Sequence, residues 1–114
     1  MILQICIQLV RFPYNSCSLS DFALRYVFGY PSYRDDQREI ISAALAGRDV
    51  FVLKSTGGGK SLCFQIPAIL DRGLTIVFCP LLSLLQDQVE ALLKRPCGGV
   101  PCAFLSSDCV GITK

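Results

Sequence analysis

Two rhythms of apolar and polar residues run along this chain. Ile40, Ile41, Ala44 and Leu45 recur at helical spacing and predict a helix over residues 35–46, with Gly47 placed to end it. Short apolar runs at 49–53 (DVFVL), 74–79 (LTIVFC) and 102–105 (CAFL) predict buried strands. A helix over 82–94 follows the second of them, with Ser83 and Gln86 in capping-box spacing and Lys94-Arg95 suited to the negative end of its dipole. Upstream, Ser18-Leu19-Ser20-Asp21 offers N-cap candidates for a helix through Phe28, stopped by Gly29 and Pro31. Residues 62–66 read as a further helix that Pro67 should end or kink near Gln65 or Ile66. Residues 1–17 show no steady period and read as an irregular lead-in. Strands alternating with helices imply an α/β domain over 18–114, with a parallel sheet, flanking helices and right-handed crossovers.

Between the strand at 49–53 and the helix at 62–66 lies Thr56-Gly57-Gly58-Gly59-Lys60-Ser61. Strand, glycine loop, Lys-Ser and helix form the setting of a phosphate-binding loop. Glycines let successive backbone N–H groups turn inward around an oxyanion, and the following helix adds its unpaired N-terminal donors. Lys60 is positioned to reach the β- and γ-phosphates, and the Ser61 hydroxyl to ligate Mg²⁺ alongside ATP. Lys54 occupies the place of the first glycine in G-x-x-x-x-G-K-[ST], and as an exposed lysine it is expected to be solvated.

Composition narrows the remaining possibilities. The 114 residues suit at most one domain. Eleven basic and nine acidic side chains leave a net charge of +2, too balanced to announce nucleic-acid binding by charge alone. Hydrophobic residues make up 52% and mean hydropathy is +0.48, so apolar surface is in excess. No apolar run approaches the roughly 18 residues of a membrane helix, and the N-terminal segment lacks the basic region and cleavage site of a signal peptide. Seven cysteines without a C-x-x-C pair, and no histidine, argue for free thiols in a reducing intracellular compartment rather than zinc or a disulfide framework.

Three ordered segments resemble RecQ-type DNA helicases. Phe28-Gly29-Tyr30-Pro31-Ser32-Tyr33-Arg34-Asp35-Asp36-Gln37 is similar to their motif 0, F-G-Y-x-x-[FY]-R-x-x-Q. Residues 56–67 (TGGGKSLCFQIP) are similar to motif I, and 79–89 (CPLLSLLQDQV) to motif Ia, followed by Phe104-Leu105-Ser106-Ser107. The resemblance covers about residues 24–107 and implies a partial RecA-like P-loop NTPase domain. It also implies that Gln37 reads the adenine edge, with Tyr30 stacked on the base and Arg34 beside it. An amide has the donor and acceptor that adenine N7 and N6 require. Motif Ia would set Pro80 and Ser83 against the backbone of single-stranded DNA, a contact without sequence readout. Without the resemblance, Gln37 is a polar residue in a first helical turn, and 82–94 an amphipathic helix packed through Leu81, Leu84, Leu85 and Val89.

The family hydrolyses ATP with a D-E-x-H box, and no Asp-Glu pair occurs in these 114 residues. The resemblance therefore implies an incomplete first motor domain, truncated before that box, with the remainder of the helicase motor missing. Two expectations follow. One is the ATP-binding segment of a 3′–5′ helicase that unwinds duplex DNA in repair and recombination, nuclear in a eukaryote, using ATP and Mg²⁺. The other is a non-catalytic nucleotide-binding remnant.

Overall fold

A computed structural model of the chain describes residues 3–7 and 16–106 other than 56, 58 and 72. Its elements, in order, are β1 (Leu3–Ile7), α1 (Ser16–Phe22), a π-helical turn (Ala23–Val27), α2 (Gln37–Leu45), α3 (Lys60–Leu70), β2 (Leu74–Phe78), α4 (Leu82–Leu93) and β3 (Cys102–Leu105). The helices α2 and α4 and the strands β2 and β3 fall where the apolar spacing places them.

Burial follows from that spacing. Ile41 from α2, Ile66 from α3, Val89 and Leu92 from α4, and Val100 and Cys102 from the approach to β3 join Ala23, Leu24 and Phe28 in one core. Ala23 and Phe28 are five residues apart, and Phe28 N–H donates to the Ala23 carbonyl at 3.2 Å. The wide turn brings both side chains to the same apolar interior, where each is at most 3% exposed.

Four sequence-based expectations are corrected. First, the sheet is not parallel throughout. Its order is β2-β1-β3, and β1 pairs antiparallel with both neighbours, Leu3 opposite Phe78 on one side and Leu105 on the other. It follows that β2 and β3 run in the same direction, joined through α4 as in a crossover unit, but with β1 between them. Second, the lead-in at 1–17 is not wholly irregular, since it contains β1 and the start of α1. Third, residues 49–53 form no strand. They run without a ladder and leave Phe51 91% and Leu53 87% exposed. An apolar run specifies a backbone that wants a partner, not which partner is free, and β2 gives its paired edge to β1. Fourth, Pro67 neither ends nor breaks α3, which continues to Leu70. Ile66 and Ala68 are both buried, and Asp71 N–H still reaches the Pro67 carbonyl at 2.9 Å. Burial on both sides of the proline offsets the missing hydrogen bond, a loss of about 3 kcal/mol in a helix with nothing to hold it.

The expected capping box is also absent: Leu81, not Ser83, is the N-cap of α4, and it makes no side-chain cap bond. Among the described residues no helix is long and apolar enough to cross a membrane.

Candidate nucleotide site

The glycine loop leads into α3 through two left-handed residues. Gly57 and Gly59 both have φ +82°, a conformation that costs a side chain roughly 1–2 kcal/mol. Gly59 is the N-cap of α3 and supplies no side-chain cap, so the first-turn donors of α3 are left for another acceptor. Lys60 and Ser61 are the first two helical residues; Lys60 is exposed and Ser61 half-buried. Among the described residues no carboxylate pairs with Lys60. Thr56 and Gly58, expected in the same loop, lie outside the described residues.

The turn before α2 approaches this loop closely. Asp35 takes φ +46°, tolerable for aspartate, and lets the chain fold back at 34–37. Gln37 N–H donates to the Arg34 carbonyl at 3.1 Å, and the Arg34 N–H donates to Gln37 Oε1 at 2.8 Å. The Gln37 Nε2 then donates to the Gly59 carbonyl at 3.0 Å. Gln37 is 1% exposed, so its amide bridges the motif 0 turn and the glycine loop from within the protein. A Cβ on Gly59 would stand 2.2 Å from Gln37 Nε2, a second reason for glycine there.

A second bridge lies beside the first. Lys54 Nζ pairs with the Asp36 carboxylate, across eighteen residues of sequence. The Lys54 side chain is only 11% exposed, so the solvated lysine of the sequence reading is corrected to a paired one. The hydrogen bond from Lys54 holds the Asp36 carboxyl below its usual range, and the same bond raises Lys54. Nothing in the spacing signals this pair; only the fold brings the two charges together. Behind them, burial pushes the Cys63 thiol up, with the Lys54 charge opposing it, and Cys63 Sγ donates to the Gly59 carbonyl at 3.7 Å.

The remaining motif 0 side chains surround that turn. Tyr30 is 42% exposed, with the Arg95 guanidinium 5.8 Å from its ring centre and 5.0 Å from that of buried Phe28. Arg34 is exposed. Tyr33 is half-buried under Arg38, 4.9 Å from its ring centre, and Arg38 pairs with Asp21 of α1 at 2.9 Å. Burial raises the Tyr33 phenol above its ordinary value, with the neighbouring Ser20 acting the other way. Pro80 and Ser83 are exposed at the start of α4.

A cleft of about 890 Å³ opens between α2, α3 and residues 47–52, with Lys60 on its border. Its walls include Ile40, Leu45, Val52 and Phe64.

Among the described residues no cluster of three acidic or thiol side chains stands ready for a metal. A hydroxyl at the second residue of α3 fits a cation whose other ligands come from phosphate and water, as Mg²⁺ prefers.

Comparison with known proteins agrees with this geometry. A family profile for DEAD/DEAH box helicases matches residues 34–109, a span that runs from the motif 0 turn through β3. The ATP-dependent DNA helicase RecQ of Haemophilus influenzae is 51% identical over 85 residues, covering 75% of this chain and 13% of that protein. ATP-dependent DNA helicase Q-like 4B of Arabidopsis thaliana is 57% identical over 70 residues, 61% of this chain and 6% of its own length. RecQ-like DNA helicase BLM of Xenopus laevis is 41% identical over 98 residues, 86% of this chain and 7% of that protein. The chain thus spans a small part of the curated relatives it matches. With motif 0 and the glycine loop joined in the structure and the profile covering the end of the first and all of the second, the chain belongs to the DEAD/DEAH box helicase family and resembles its RecQ members.

Proposed function

We propose that this chain carries the ATP-binding segment of a RecQ-like 3′–5′ DNA helicase, which couples ATP hydrolysis to duplex unwinding in repair and recombination. The observation that supports the reading is the Gln37–Gly59 bridge, which joins the motif 0 turn to the glycine loop. The phosphates lie along Gly57, Gly59 and the N-terminus of α3, with Thr56 and Gly58 completing the loop. Lys60 neutralises the β- and γ-phosphates. Ser61 helps to hold Mg²⁺, which supplies charge neutralisation between those phosphates when bound. Tyr30 stacks on the base with Arg34 at its side, and Gln37, its amide buried between Arg34 and Gly59, serves the adenine site by fixing the turn that carries them. Pro80 and Ser83 meet the backbone of single-stranded DNA at the uncapped start of α4. The finer fold in this reading is a RecA-like domain, and its partners are DNA and the rest of the motor. The free thiols Cys63, Cys79, Cys97 and Cys102 support an intracellular setting, nuclear in a eukaryote.

A second reading, a nucleotide-binding polypeptide without catalysis, is favoured by one observation: the 114 residues hold no Asp-Glu pair to orient an attacking water. Calorimetric binding of Mg-ATP and Mg-GTP tests the shared part of both readings. Wild type is expected to prefer ATP, Lys60→Ala to lose both nucleotides, and Gln37→Ala to lose the preference. Equal binding by wild type and Lys60→Ala would remove the phosphate-loop assignment. ATP hydrolysis by the 114 residues alone would remove the second reading.

A further inference from the structure

Residues 94–100, after α4, belong to none of the three motifs, yet they close directly over motif 0. The turn is fixed from both sides. Val100 N–H returns to the Leu92 carbonyl at 2.8 Å, and Gly98 N–H reaches the Arg95 carbonyl at 3.1 Å. Gly99 takes φ +102° where a Cβ would lie 2.5 Å from the Leu93 carbonyl oxygen, so only glycine lets the chain pass. On the other side, Pro96 Cγ stands 3.3 Å from where a Cβ on Gly29 would be. Gly29 is the middle residue of Phe28-Gly29-Tyr30, so this close approach delivers Arg95 to the two rings that flank it.

The Arg95 guanidinium lies over both rings, 5.0 Å from Phe28 and 5.8 Å from Tyr30. Its Nε is buried without an acceptor among the described residues. A guanidinium that leaves a buried donor unpaired is held by the ring faces, and Phe28, 3% exposed, is a rigid seat for it. Tyr30 differs: it remains 42% exposed with Arg95 against it. An aromatic ring presents two faces, and a cation on one of them fixes the ring plane while the solvent side stays open to a planar partner.

We infer that Arg95 is a positioning residue for the nucleotide base: it backs Tyr30 and holds its ring in the stacking orientation. This rests on the nucleotide reading given above. It also assigns the α4 turn to the nucleotide site, so α4 carries the expected DNA contact at one end and the support of the base at the other. An arginine is suited to the place because its planar, weakly hydrated cation stacks, whereas lysine brings a hydrated point charge.

The test is a double-mutant cycle read by calorimetric Mg-ATP binding to the full chain. Arg95→Gln is expected to weaken binding about two- to fivefold, the range for a partly exposed cation–ring contact. In a Tyr30→Ala background the same change is expected to do nothing further. Arg95→Lys should fall between wild type and Arg95→Gln. A loss of equal size with and without Tyr30, tracking a lowered thermal midpoint, would show that Arg95 merely holds the turn and would overturn the assignment. Unchanged affinity in Arg95→Gln while Lys60→Ala abolishes binding would overturn it and leave the nucleotide reading standing. If the wild-type chain binds no Mg-ATP, the nucleotide reading fails first and takes the assignment with it.

Discussion

Gly57 and Gly59 have the same φ of +82° but different surroundings, and substituting each by alanine separates two contributions to the site. At Gly57 an added Cβ meets nothing within 4 Å, so Gly57→Ala should cost only the left-handed backbone, about 1–2 kcal/mol. At Gly59 the same backbone cost applies, and the Cβ would stand 2.2 Å from Gln37 Nε2. The glutamine must then leave, giving up the bonds to the Gly59 carbonyl at 3.0 Å and from the Arg34 N–H at 2.8 Å. At roughly 0.5–1.5 kcal/mol each, those bonds bring Gly59→Ala to about 2–5 kcal/mol. The gap between the two variants is therefore about 1–3 kcal/mol, roughly fivefold to 150-fold in the folded-to-unfolded ratio. Urea titration followed by far-UV circular dichroism at low micromolar concentration measures it. In a Gln37→Ala background the steric conflict is gone and the two alanines should cost the same. Equal costs in the native background, or a gap that survives Gln37→Ala, would refute the bridge between motif 0 and the phosphate loop.

The Asp36–Lys54 pair predicts a charge-dependent link at the same place. Because the folded Asp36 carboxyl lies below its unfolded value, its stabilising effect is present above the unfolded value and disappears as pH falls through the depressed folded one. Lys54 is raised, so its effect is present below its unfolded value and is lost as pH rises through the higher folded one. A carboxyl titration by NMR should show Asp36 returning to an ordinary value in Lys54→Met; an unshifted carboxyl in wild type would dispose of the pair. Cys97 is exposed, whereas Cys63, Cys79 and Cys102 are buried, so iodoacetamide at neutral pH should label Cys97 ahead of those three in peptide mass spectra. Leu74, Ile76 and Phe78 form an exposed apolar row on β2, so Ile76→Lys with Phe78→Lys should reduce light scattering at a given concentration. Unchanged scattering would mean the row does not drive self-association.

Local rules carried far in this chain because most of its elements are locally specified. The stripe of Ile40, Ile41, Ala44 and Leu45 and the apolar run at 102–105 each reported a real helix and strand. The failures share one physical origin, in that they depend on partners distant in sequence. Residues 49–53 have a strand's composition but no ladder, and Leu3–Ile7 has a ladder without a legible period, because pairing is decided by which edges are open. Pro67 predicts an end or a kink, and tertiary burial of its neighbours carries α3 on to Leu70. For the proposed site, the order of residues points to Gly57, Gly59, Lys60 and Ser61, and the F-G-Y context points to Gln37. The Lys54–Asp36 pair and the Arg95 contact were not visible, since eighteen residues separate the first pair and sixty-five separate Tyr30 from Arg95.

The π-helical turn at Ala23–Val27 has a consequence for variation in length. A turn closed by a bond from Phe28 N–H to the Ala23 carbonyl holds one residue more than an α-turn. Removing one residue from an ordinary helix swings everything beyond it by about 100° and points a different face at the interior. Here the surplus residue can be lost by drawing the bulge in to a normal turn, which still presents Phe28 inward. Arg25 and Tyr26 are its exposed members, so a shortened chain would shed surface and keep the core contacts of Ala23, Leu24 and Phe28. The approach to motif 0 thus contains a place where an insertion can be absorbed or reversed without re-registering the helix that precedes it.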